Sequence, residues 1–159
     1  MIKLKHWAIA IITPFCLVLP AQAMTASQKV EVERKVKQSD GSVQTVMTAP
    51  DKVLPGDLMV YTVSYHNNKQ EITENFRLDM PVPAEITYSE GSAIRDNAAV
   101  LYSVDNGQTY QSRETLRMSL PNGETRAAGA SDITHIRWTL SNSIQPGERG
   151  EITFKGRLN

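Results

Sequence analysis

Asp57-Leu58-Met59-Val60-Tyr61-Thr62-Val63-Ser64-Tyr65-His66 carries the clearest periodic signal in the chain. Met59, Tyr61, Val63 and Tyr65 share one parity, and Val60, Thr62, Ser64 and His66 share the other. Period-two alternation with β-branched and aromatic residues predicts a strand with one core face and one wetter face. The larger and more apolar set is expected to face inward. Pro55-Gly56-Asp57 precedes it as a turn, with proline at the first corner and a glycine free to take positive φ. Asn67-Asn68-Lys69 ends it.

The same period continues in both directions. Towards the N-terminus, Val30, Val32 and Val36 alternate with charged residues over residues 29–37, and Asp40-Gly41 marks a hairpin turn into residues 43–48. Towards the C-terminus, Phe76, Leu78 and Met80 form an inward set that Pro81-Val82-Pro83 stops, because proline has no N–H for a sheet ladder. Ile86 and Tyr88 follow. Val100, Tyr102 and Val104 alternate up to Asp105-Asn106-Gly107, a second hairpin signal from which the chain returns through Thr109-Tyr110. Residues 111–132 show no sustained alternation and read as a long loop, functional or mobile. Ile136, Trp138 and Leu140 resume the pattern, and Gln145-Pro146-Gly147-Glu148 turns the chain into a last strand with Ile152, Phe154 and Leu158 on one face. Seven to eight short strands without a helical stretch predict an all-β domain of antiparallel sheets, a sandwich rather than a barrel. The expected core is Tyr61, Val63, Leu78, Tyr88, Tyr102, Ile136, Trp138, Leu140 and Phe154.

Residues 1–23 read differently. Lys3 and Lys5 precede an apolar run over residues 8–19, and Ala21-Gln22-Ala23 is a small-x-small cleavage site, the pattern of a secretory signal peptide. Cleavage leaves residues 24–159 as one domain, in which 15 Lys and Arg face 17 Asp and Glu. That near-neutral balance argues against a nucleic-acid binder or a polybasic membrane binder. The run is too short to span a bilayer, so no membrane insertion is expected after cleavage. Cys16, the only cysteine, lies inside the run rather than at the cleavage point. The mature chain is therefore expected to carry neither a lipid anchor nor a disulfide, and to reside in the periplasm or be secreted.

Four blocks in order resemble a conserved bacterial repeat domain of unknown function. They are Pro55-Gly56-Asp57 with Tyr61-Thr62 and Asn67; Asp79-Met80-Pro81-Val82-Pro83 with Gly91-Ser92; Trp138-Thr139-Leu140; and Pro146-Gly147 before Ile152-Thr153-Phe154. The resemblance implies an immunoglobulin-like β-sandwich of exported and surface proteins. It implies no shared site chemistry.

Candidate chemistry is sparse. His66 and His135 are the histidines of the mature chain, and neither sits in a hydrolase or metalloprotease motif. Asp105-Asn106-Gly107 lacks the second acid that a calcium loop needs. No catalytic residue, cofactor or metal is assigned. If the strands of Trp138 and Phe154 pair, His135, Arg137, Lys155 and Arg157 share one solvated face, a candidate patch for an acidic partner or an anionic polymer. Residues 29–37 read as an edge strand, through which a partner or a second copy adds. The expected function is an exported, non-enzymatic module that works by contact with an exported or outer-membrane protein. The rival is a secreted carbohydrate- or polymer-binding module that uses the basic face.

Overall fold

Alternation of large apolar and polar residues makes each strand of this chain two-faced, and the apolar faces must find one another. In a computed structural model, described here over residues 24–159, they do so in two antiparallel sheets. The segment read as a signal peptide lies outside the described residues. The strands are β1 (Thr25–Lys37), β2 (Val43–Thr48), β3 (Leu58–His66), β4 (Arg77–Pro81), β5 (Ile86–Tyr88), β6 (Ala98–Ser103), β7 (Arg117–Ser119), β8 (Thr125–Ala127), β9 (His135–Leu140) and β10 (Arg149–Leu158). The larger sheet has the order β2-β1-β3-β10-β5 and the smaller β4-β9-β6, with β7 and β8 paired as a separate ribbon.

The sheets meet through aromatic side chains. Trp138 of β9 and Phe154 of β10 are fully buried, with ring centres 6.4 Å apart across the interior. Tyr61 stacks on Phe154 at 4.8 Å from the neighbouring strand. Tyr88 meets Tyr102 at 5.5 Å, and Tyr65 meets Phe76 at 5.1 Å, each pair again joining the larger sheet to the smaller or its flank. Val63, Ile136 and Leu140 are buried in the same core, and Leu78 packs against it while keeping partial exposure. Among the described residues, the buried side-chain polar atoms are matched, the Thr73 hydroxyl excepted. The Trp138 indole N–H donates to the Ala93 carbonyl at 2.8 Å, and the Tyr88 and Tyr102 hydroxyls lie 3.2 Å apart. Glycine makes room where a large partner needs it: Gly150 pairs with Tyr65, whose phenol occupies the space a β-carbon would take.

Three expectations change. First, the connection from β9 to β10, residues 141–148, does not form a hairpin. It crosses from one sheet to the other, drawn in by Ile144, which is buried and bridges to Thr73. The strands of Trp138 and Phe154 therefore oppose rather than pair. Second, β1 is the outer strand over only part of its length: Thr25–Glu31 have β3 alone as a neighbour, whereas β2 covers Val32–Lys37. Its first nine residues pair with β3 and its last six with β2, overlapping at Val32 and Glu33. Val32, where the two pairings overlap, is fully buried, and beyond it β2 takes the edge. Third, residues 111–132 are built rather than loose. Leu116 is buried, the Ala128 N–H donates to its carbonyl, Arg113 pairs with Glu90 and Arg126 with Asp132, and β7 and β8 form between these anchors. Their three-residue strands are too short to register as alternation, and they raise the strand number from the expected seven to eight to ten.

Setting β2 aside, four strands face three, the tally of a constant-type immunoglobulin sandwich. The threading differs. The immunoglobulin chain ends on an edge strand of the smaller sheet, whereas here the last strand lies inside the larger sheet between β3 and β5.

Replacing Trp138 by alanine removes the side chain that spans the sheets and strands the Ala93 carbonyl. We expect Trp138→Ala to cost about 3–5 kcal/mol, read from urea unfolding. A midpoint equal to the wild type would show that the sheets are held together elsewhere.

Candidate functional site

Strand alternation and the two-sheet arrangement decide where each singled-out residue points. His135 and Arg137 lie on the outer face of the smaller sheet, Lys155 and Arg157 on the outer face of the larger one, with the core between. The structure thus divides the four basic residues into two pairs facing opposite ways. The reason is the sheet-crossing connection before β10.

Each pair is occupied locally. Arg137 reaches across to β4 and donates to both carboxylate oxygens of Asp79, at 2.7 and 2.6 Å. That bidentate bond holds the Asp79 carboxyl below its ordinary range. The guanidinium carbon also lies over the Tyr110 ring, 3.6 Å from its centre. Tyr110 in turn is seated by the turn before it, because a β-carbon on Gly107 would touch its hydroxyl and the His135 ring. His135 Nδ1 lies 3.3 Å from the Thr134 hydroxyl.

On the other face, the Lys155 ammonium pairs with Glu33 of β1, bridging over β3. Val60 beneath that bridge is buried although it belongs to the outer parity. Long charged side chains covering an apolar residue with their stems account for this. Arg157 donates to the Gly56 carbonyl at 3.1 Å. The Gly56 N–H donates to the Leu158 carbonyl, and Asp57 accepts from the Leu54 N–H, so the Pro-Gly-Asp turn is fastened to the end of β10.

Two polar residues hold the loops at the ends of the sheets. Asn67 is fully buried. Its amide nitrogen donates to the carbonyls of Glu71, Ile144 and Gln145, and its side-chain oxygen accepts from the Lys69 N–H. This one side chain joins the connection after β3 to the crossing before β10. Alternation marks it only as a strand end, since nothing in period two shows that an amide will be drawn inside. Asp105 accepts from the Ser103 and Thr109 hydroxyls and from the backbone N–H groups of Gln108 and Thr109. Those donors, Ser103 foremost, bring its pKa down to about 2. Asn106 and Gly107 take the left-handed conformation that the turn requires. The carboxylate is thus spent on its own turn. His66, at the end of β3, pairs with Thr25 and Arg149 of the flanking strands. Among the described residues, no three His, Cys, Asp or Glu side chains are grouped to hold a metal ion, and no helix is long and apolar enough to cross a membrane.

What the sequence reading missed is an apolar end. Among the described residues, seven large apolar side chains stand exposed, and five of them fall between positions 36 and 54: Val36, Val43, Met47, Val53 and Leu54. They belong to the β1–β2 ribbon, which runs on past the end of β3, and to the connection that returns from it. Arg34 fastens that connection by donating to the Lys52 carbonyl at 2.6 Å. An open groove of about 570 Å3 lies beside it, between residues 33–36 of β1 and the Gly56-Asp57-Leu58 turn. The available signal was the absence of any charged residue from Val43 to Thr48.

Asn67→Asp should lower stability by about 3 kcal/mol at neutral pH, because it sets a buried carboxylate against three carbonyls; thermal or urea unfolding measures the loss, and recovery on acidification identifies the charge as its cause. For Asp105 the folded pKa lies below the unfolded one. Its contribution is therefore complete above about pH 4 and is lost as the pH falls toward 2. The stability gap between wild type and Asp105→Asn, measured across that window, should close.

No protein-family model, no curated protein and no solved structure matches the chain.

Proposed function

We propose that this chain is an exported, non-enzymatic module of the immunoglobulin-like kind that works by contact with another protein of the cell envelope. One observation carries the reading: the exposed large apolar side chains collect on the β1–β2 ribbon and the connection after it, at one end of the larger sheet. Clustered apolar exposure on a folded domain is the usual mark of a surface that meets another protein. Leu54 is two-thirds exposed, and Val43 nearly as much. The ribbon backbone is held by sheet pairing and the connection by Arg34; Val43 and Met47 stand on the outer face of the ribbon and Val36 on the opposite one. The signal-like sequence of residues 1–23 and the four-block resemblance to an exported repeat domain support an envelope setting. The polymer-binding reading needed four basic residues on one face, and they lie on two, with Arg137 and Lys155 already paired.

Photo-crosslinking from position 54 in cells of the source organism tests the proposal. A discrete adduct with an envelope protein is expected from position 54 and not from position 99, on the outer face of the smaller sheet. Absence of a protein adduct at position 54, or equal adducts at both positions, would overturn it.

A further inference from the structure

The outer strand of the larger sheet lacks the devices that keep sheet edges apart. β2 reads Val43-Gln44-Thr45-Val46-Met47-Thr48, six residues with no charge, no proline and no glycine, and strong β-formers at most positions. Among the described residues, nothing pairs with its far side. Free edges of natural sheets are commonly blunted by lysine, proline or a bulge, and a short uncharged strand with exposed valine and methionine is built to accept another strand.

The geometry specifies which one. The Gln38 N–H donates to the Ser42 carbonyl at the ribbon tip. In an antiparallel ladder the hydrogen-bonded pairs alternate. Val36 with Gln44, Arg34 with Val46 and Val32 with Thr48 are therefore the pairs that exchange bonds. That leaves the N–H and C=O groups of Val43, Thr45 and Met47 pointing away from β1. The side chains of the same three residues lie on the outer face, in register with Lys37, Lys35 and Glu33. Bonding groups and exposed apolar side chains thus belong to the same residues.

We infer that β2 is a self-pairing edge, where a second copy of this chain adds its own β2 antiparallel about a two-fold axis through Thr45. The inference rests on the contact reading above and names the occupant of the β2 part of that surface, leaving Val53 and Leu54 outside the seam. A two-fold axis normal to the sheet keeps the outer faces of both copies on one side. It sets Thr45 opposite Thr45 of the partner subunit, and Val43 opposite Met47 of the partner subunit, twice over. All three residues then exchange hydrogen bonds, and the two exposed apolar side chains cover each other. No charge enters the seam. Lys35, opposite Thr45 on each copy, stands three strand spacings from its counterpart, about 14 Å, beyond the screening length of about 8 Å at physiological salt. The product is one continuous sheet of ten strands through both copies. A seam of five residues lies in the small, transient class of interfaces, so the dimer forms and dissociates with concentration.

Sedimentation velocity of the purified protein tests this, over loadings from about 1 μM to about 500 μM, the range of weak association. Wild type should pass from monomer to dimer within that range. Thr45→Lys and Thr45→Glu, each changing an exposed side chain at the axis, should stay monomeric and melt like wild type. An equimolar mixture of the two should dimerise, because the axis places position 45 against itself. A wild type that remains monomeric throughout, a dimer undiminished by Thr45→Lys, or a mixture that stays monomeric would each overturn the inference. A monomeric wild type whose position 54 still crosslinks a different envelope protein would overturn this inference alone. Loss of the crosslink as well would overturn the contact reading with it.

Discussion

Phe154 is where the two sheets become one body. Its ring lies parallel to that of Tyr61 on the neighbouring strand and meets Trp138 of the opposite sheet, and all three are buried. Aromatic side chains of this size carry much of the burial energy in a small core, and their flat rings fix relative orientation as well as distance. The other cross-sheet contacts, Tyr88 with Tyr102 and Tyr65 with Phe76, flank this centre. For Phe154 to occupy it, β10 must lie inside the larger sheet, and that single placement decides much else. It forces the chain to cross between sheets after β9, so that Ile144 and Asn67 are drawn in to hold the crossing. It also sends the outward side chains of β9 and β10 to opposite sides of the molecule.

The charged residues follow from the same arrangement. Arg137 serves the smaller sheet through Asp79 and Tyr110. Lys155 covers Val60 from the larger sheet, and Arg157 fastens a turn. Exposed pairs of this kind contribute little to stability one at a time. Their consequence here is for recognition: Arg137, Lys155 and Arg157 are engaged by their own neighbours, while at the β1–β2 ribbon exposed apolar side chains stand beside Lys35 and Lys37. The chemistry that β2 itself offers a partner is therefore main-chain hydrogen bonding and small apolar contact at a sheet edge.

That edge gives the proposed self-pairing its logic. A sandwich closes its two apolar faces but leaves strand edges open, and each edge must be covered, charged or used. The free side of β10 beyond β5 is covered, because Ser89, Ser92 and Arg95 donate to its carbonyls. β2 is neither covered nor charged.

Most of the strands were legible in the residue pattern, β7 and β8 excepted. Period-two alternation placed Tyr61, Val63, Tyr102, Ile136, Trp138 and Phe154 on apolar faces, because the pleat dictates which side chains share a side whatever the strand pairs with. Glycine and proline fixed several breaks for equally local reasons, Gly56, Gly107 and Gly147 each taking positive φ at a turn. Which strands are neighbours was settled by packing in three dimensions. A connection of eight residues permits either a return within one sheet or a crossing to the other, and the choice went to the crossing that buried Ile144 and set Phe154 against Trp138. Nor could alternation show that β1 is long enough to serve two partners, or that Asn67 goes inside. The candidate site was hidden for the same reason: an exposed valine reads like a buried one until the pairing shows which strand was left at the edge.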